Sequence, residues 1–385
     1  MRASLLSPRS ARSLGSTAPL VRGIGCALVL VMTFLASPVA GQEAAQEGVF
    51  DALHKAGIDL SAWGWFGYSY NTPGEYKNVW LAELELDITK SFGGVAAVSA
   101  DLEFTDFDDK SNWTAEQLFA SILLARDHGI VLTVGKFNSP IGAEGHDFWD
   151  RLTATTSLLF QAQPQDLRGV MLTTPLGNTN ITLKTYAVSG FGDKDAVKGW
   201  PSMGMTAEYH PDAKFDLALT GWVGPAVAVA DYADYGMRWG DPEYNDWENH
   251  ELVDAWWSQP FKSTGTEHLY FFNAHATIKP RPDVTLVGEF IYGATHINSE
   301  MSHWLGLMFL ANFDFDDHLR AYTMWSYLDD TDWVVYPPVQ RRHEVSAGVG
   351  YRVDEHIELR AEYRHDFSDF MDDVDRFSVH ASIGY

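Results

Sequence analysis

Between Val79 and Lys90 two kinds of residue alternate: Trp80, Ala82, Leu84, Leu86 and Ile88 fall on one face and Glu83, Glu85 and Asp87 on the other. A period of two is the pattern of a β-strand with unlike faces. The pattern recurs in Val95 to Thr105, where Val98, Ala100, Leu102 and Phe104 oppose Ser99, Asp101 and Glu103, and in Ile58 to Tyr70 with Leu60, Ala62, Phe66, Tyr68 and Tyr70 aligned. Sixteen such segments can be counted, most of roughly the nine to thirteen residues that a tilted strand needs to cross a bilayer. The others are Glu116 to Ala125, Ile130 to Phe137, Gly169 to Thr174, Ile181 to Ser189, Met203 to His210, Phe215 to Val223, His268 to Lys279, Val284 to Ala294, His303 to Phe313, His318 to Tyr327, Glu344 to Val353, Ile357 to Phe367 and Val374 to Tyr385.

The connections alternate as well. Short, turn-like ones such as Pro175 to Asn180, His210 to Lys214 and Pro280 to Asp283 take turns with long ones, the longest being Asn138 to Arg168 and Gly224 to Glu267. Short turns on one side and long loops on the other predict an all-β, antiparallel up-and-down transmembrane barrel of about 16 strands, with short periplasmic turns and long extracellular loops. An even count returns both termini to the short-turn side. A soluble β-sandwich or sugar-binding barrel also alternates, and is the competing fold.

The first residues weigh against the soluble reading. Arg2, Arg9, Arg12 and Arg22 precede an apolar run from Gly23 to Ala36, and small residues follow around Ser37 to Gly41. That order is expected of a secretory signal peptide over residues 1–41, cleaved after Ala40 or Gly41. The run is well short of the roughly 20 residues of a spanning helix. Cys26, the single cysteine, lies inside it, so a mature chain has no thiol for a disulfide or a thiolate metal site. Residues 42–57 read as a periplasmic lead-in and 58–385 as the barrel. Loss of the leader removes four arginines and no acid, taking the net charge from −25 to about −29. A chain so acidic is not expected to bind nucleic acid.

On a membrane strand, charged residues that alternate with apolar ones must face the lumen. The expected pore lining is therefore acidic early, at Glu83, Glu85, Asp87, Asp101 and Glu103, and basic late, at Arg320, Arg352, Arg360, Arg364 and Arg376. Glu344, Glu358 and Glu362 lie among those arginines. Two readings stand: ordinary lumen salt bridges, or a transverse field that orients polar solutes and filters ions. The last strand sets Phe377, Val379, Ala381, Ile383 and Tyr385 on one face and ends on its aromatic. This pattern is similar to the assembly signal read by the barrel-assembly machinery of bacterial outer membranes.

Val134-Gly-Lys-Phe-Asn-Ser-Pro-Ile-Gly142, Ser157-Leu-Leu-Phe160, Pro164 and Gly169-Val170 together resemble the corresponding run of the OmpL-like β-barrel porin-2 family. The resemblance implies an outer-membrane porin, a water-filled channel for passive diffusion of small hydrophilic solutes or ions, in contact with lipid and lipopolysaccharide, with a homotrimer as a candidate assembly. Asn138 to Arg168 would be the third extracellular loop, which folds inward in the general porins that this chain resembles. It would bring Glu144, Asp147, Asp150 and Arg151 to a constriction; an exposed lid is the alternative.

Other readings remain open. Gly135-Lys136 lacks the spacing and the Ser/Thr of a phosphate-binding loop. His146, Asp147 and Asp150 are more simply solvated than metal-bound, so no metal, cofactor or catalytic residue is expected. A surface receptor or adhesin would use the aromatic loop 224–267, which holds Trp239, Trp247, Trp256 and Trp257. An outer-membrane hydrolase would have to use Ser378, His380 and Ser382, without an evident acid to orient the histidine.

Overall fold

The computed structural model describes residues 52–72, 79–107, 110–191, 200–225, 268–297, 300–330, 341–369 and 373–384. The proposed leader, most of the lead-in, nearly all of loop 224–267 and Tyr385 lie outside them.

Sixteen antiparallel strands close into one barrel. They are β1 (Ile58–Thr72), β2 (Val79–Phe92), β3 (Ala96–Phe107), β4 (Lys110–Ala125), β5 (Ile130–Asn138), β6 (Asp166–Pro175), β7 (Ile181–Val188), β8 (Ser202–Asp212), β9 (Phe215–Pro225), β10 (His268–Arg281), β11 (Val284–Ile297), β12 (Glu300–Asp314), β13 (Leu319–Asp329), β14 (Arg341–Arg352), β15 (Ile357–Ser368) and β16 (Val374–Gly384). Each pairs with its sequence neighbours. β1 closes on β16 in a register running from Trp63↔Gly384 to Thr72↔Asp375. Closure leaves no strand edge with unpaired backbone groups, which is what allows a sheet to sit in hydrocarbon.

Burial is inverted relative to a soluble barrel. Val98, Val134, Met205, Phe272, Phe309, Val349, Leu359, Tyr363, Phe377 and Val379 are exposed on the outside. Their strand neighbours Glu85, Asp101, Thr133, Thr206, Asn273, Glu289, Glu344, Arg360, Ser378 and His380 are buried inside. The outward apolar band is the surface that meets lipid.

The expected strands are all present, several of them extended. β4 differs most, beginning at Lys110 instead of Glu116. Its alternation fails because a bulge interrupts the pairing with β3: Asp101 opposes Gln117 while Leu102 opposes Ala115, so Glu116 is the extra residue. Gly135 lies within an unbroken strand. It sits inside β5 opposite Gly169 of β6, at φ 138°, where a Cβ would lie 2.7 Å from Cα of Phe119. Only glycine fits that close approach of β5 to β4.

Candidate functional site

The segment between β5 and β6 leaves the barrel wall and returns to it at one point, where Ser139 N–H donates to the Gln165 carbonyl at 2.6 Å. Between those residues the chain lies inside the barrel. Ser157 caps a single helical turn (Leu158–Gln161), its Oγ accepting from Phe160 N–H at 3.3 Å. That turn carries Leu158 and Leu159, both buried, into a cluster with Leu269, Phe271, Ile291, Trp304, Met308, Met324 and Leu328 from β10 to β13. The apolar core of the protein is thus inside the barrel, between loop and wall. Each fully buried aliphatic or aromatic side chain there stabilises the loop by about 1.5–3 kcal/mol.

Polar bonds fix the loop's height. Trp304 Nε1 donates to the Ala162 carbonyl at 3.2 Å, and Glu289 accepts from Ala143 N–H at 3.3 Å and from Asn273 Nδ2 at 2.5 Å. Further along, Arg360 Nη1 donates to the carbonyls of Phe148 (3.1 Å) and Thr153 (2.9 Å), and its guanidinium lies 4.3 Å from the centre of the Phe148 ring. Glu362 accepts from Ala154 N–H at 3.0 Å, Thr155 Oγ1 at 2.5 Å and Tyr322 OH at 2.9 Å. Arg364 Nη1 donates to the Thr156 carbonyl at 3.0 Å. On the β1 side, Phe148 packs against Trp65 and Trp149 against Trp63, at 5.0 and 6.4 Å between centroids.

Within the loop, Arg151 donates to the carbonyls of Gly145 (2.9 Å) and His146 and lies over the Phe160 ring at 5.1 Å. Glu144 accepts from the backbone and hydroxyl of Ser157. Burial, and then the Asp150 charge, push the Asp147 carboxyl up to about 6. Burial, and then the Arg151 charge, push His146 down to about 3.

The charges expected to line the pore divide into two kinds. The lumen face of β15 reads Glu358, Arg360, Glu362, Arg364 and Asp366, signs alternating, all buried. Glu358 bonds Arg320 at 2.7 Å and Arg360 at 3.0 Å, and Arg364 reaches Asp366 at 2.8 Å and Glu344 at 3.3 Å. Arg360, 1% exposed, and Arg364 therefore hold the loop and do not project as a free basic wall. Arg352 departs further from expectation. It is exposed at the short-turn rim, its Nη1 3.5 Å from the Asp317 carbonyl, away from the loop. Arg376 sits opposite Arg364 near the long-connection end.

The acidic wall has no such alternation. Asp87 faces Asp101 and Glu85 faces Glu103 directly across the β2–β3 pair, a like-charge arrangement that costs stability unless cations attend it. The bulge adds Glu116, and the loop brings Asp147 against the same wall: carboxylate oxygens of Glu85, Glu116 and Asp147 lie within 4.8 Å of one another.

Sequence reasoning missed Glu116, Tyr322 and Glu289. The broken alternation at Ala115 to Gln117 was the available signal for Glu116; Tyr322 and Glu289 stand at lumen-facing positions, but nothing in the sequence marks them as loop anchors. The hydrolase set does not assemble. Ser378 bonds Ser69 at 2.8 Å, while the His380 ring packs on Trp65 and Phe148 at 4.8 and 5.4 Å.

Comparison with known proteins agrees with this architecture. Among solved structures the chain is similar to Pseudomonas putida OprB (TM-score 0.63, 12% identity, covering 88% of this chain and 97% of that one). It is also similar to an anion-selective porin from Comamonas acidovorans (0.60, 9%, 85% and 99%) and to Salmonella typhi OmpF in complex with daunomycin (0.59, 12%, 86% and 99%). At these identities the likeness is one of fold. No curated protein matches. The family described as "Putative beta-barrel porin-2, OmpL-like" matches residues 88–381. The chain, a closed barrel with its apolar face outward and its charges inward, belongs to that family of bacterial outer-membrane porins.

Proposed function

We propose that this porin is a passive, cation-preferring diffusion channel whose passage is narrowed by loop 138–168 and bounded by Glu83, Glu85, Asp87, Asp101 and Glu103, with Glu144, Asp147, Asp150 and Arg151 contributed by the loop. The observation that supports this reading is the division of charge. Arg320, Arg360 and Arg364 are committed to carboxylates or loop carbonyls, whereas the β2–β3 acids oppose one another. A permeating cation is attracted by the second group and is little opposed by the first.

The test is the zero-current potential of the refolded protein in a planar bilayer under a KCl gradient. A cation-selective potential that moves toward zero in Glu83→Gln/Glu103→Gln agrees with the proposal; anion selectivity, or no open-channel current, overturns it.

No catalytic role is assigned. Residues 1–41 act in this reading as a cleaved export leader and 42–57 as a periplasmic lead-in. Phe377, Val379, Ala381, Ile383 and Tyr385 form the strand read by the barrel-assembly machinery. A homotrimer is the proposed assembly, tested by native mass in detergent.

A further inference from the structure

Glu85 on β2 belongs to two groups of carboxylates. One joins it to Glu116 and Asp147, the other to Asp87 and Asp101, and in each group one ligand oxygen per residue lies within 4.8 Å of the others. Glu85 is 5% exposed. Its Oε2 is buried with no hydrogen-bond donor, and so are Asp87 Oδ1 and Asp147 Oδ1. The other Asp87 oxygen is satisfied by Ser61 at 2.9 Å and Trp63 at 3.3 Å. Buried carboxylate oxygens that converge without donors need a cation or a shared proton. The nearby guanidinium of Arg151 is committed to two loop carbonyls and the Phe160 ring.

The donor set selects the cation. It is all oxygen and all anionic, which suits a hard ion. Calcium takes oxygens at about 2.3–2.6 Å in flexible geometry, so one ion can bridge oxygens up to roughly 4.6–5.2 Å apart, and the three ligand oxygens here lie within 4.8 Å of one another. Magnesium demands a tighter octahedron and keeps its waters. His146 falls in a different group, with Glu116 and Asp166, and Lys136 lies 3.6 Å from that Asp166. The β4 bulge makes Glu116 available: the extra residue breaks the pleat beside Gln117, which itself bonds Asp101.

We propose that Glu85, Glu116 and Asp147 form a calcium site that ties the inner loop to the acidic wall of β2 and β4, which β1 and β16 separate from its arginine anchors on β15. The sequence alone led to the expectation of no metal here. The proposal rests on the loop's position and not on conduction, so it is tested without a current.

The folded, EDTA-treated full chain in detergent is titrated with CaCl2 by calorimetry, and with Tb³⁺ by luminescence excited through tryptophan, Trp149 being two residues from Asp147. One saturable calcium per chain is expected, with affinity reduced tenfold or more in Glu85→Gln and in Glu116→Gln and unchanged in Glu355→Gln, whose carboxylate is 86% exposed in a short turn. Calcium should also slow hydrogen exchange in residues 143–153. Should Glu85→Gln fail to fold, Asp147→Asn, which lies outside the strand ladder, gives the same readout. No saturable binding, equal affinity for magnesium, or unchanged binding in the folded variants overturns the proposal.

Discussion

Arg360 of β15 donates a 3.1 Å hydrogen bond to the carbonyl of Phe148, 212 residues earlier in the chain, and stacks its guanidinium on that residue's ring. One side chain therefore couples the last third of the barrel to the tip of the inner loop. It is nearly inaccessible to water, so its bonds are made where competition from solvent is weakest.

Arg360→Ala removes both carbonyl bonds and leaves Glu358 with one of its two cationic partners. Breaking a buried pair costs about 3–5 kcal/mol, and the cost should fall on the loop, because the strand ladder does not use this side chain. Hydrogen exchange in residues 145–156 should rise while the β15 amides stay protected. Single-channel conductance should rise with it.

Leu159→Ala tests the apolar side of the attachment. Leu159 is fully buried, and truncation costs about 2–5 kcal/mol by lost transfer energy and an unfilled cavity. Exchange over residues 157–162 should accelerate in this variant with the arginine anchors intact. A loop as protected as the wild type would show that the polar bonds suffice.

Gly135→Ala places a methyl group against the β4 backbone at a φ that L-residues avoid. Strain of about 1–3 kcal/mol follows, and it falls on the wall itself. Folding yield and the urea midpoint in micelles should both drop, in contrast to the two loop variants.

His146 makes the loop sensitive to acid. Its folded-state value, pushed down to about 3, lies below the ordinary histidine value of 6.5, so the closed loop disfavours the proton and its stability is lost as pH falls from about 6.5 toward 3. Asp147, pushed up to about 6, works in the opposite sense. In EDTA, lowering the pH from 7 to 5 should reduce exchange protection of residues 143–153 in the wild type relative to His146→Gln, after correction for intrinsic rates.

Strand positions, their facing and the division into short and long connections were legible because side chains alternate with a period of two, and a membrane barrel converts that period directly into lipid face and lumen face. Thus Glu85, Asp101 and Arg360 could be assigned to the lumen, and Val98 and Leu359 to the outside, from parity alone. The alternating signs along β15 were legible too, as possible lumen salt bridges. Three things required the tertiary structure. The bulge at Glu116 depends on how β4 pairs with β3. The use of Arg360, Glu362 and Arg364 to hold a loop depends on where that loop goes, and the same sequence run would serve equally as a free basic wall. The meeting of Asp147 with Glu85 and Glu116 joins segments that no local pattern relates. Periodicity is local and survives in the sequence; the path of an irregular loop is set by the sum of many distant contacts, none of them decisive alone, and so appears only when the barrel is closed around it.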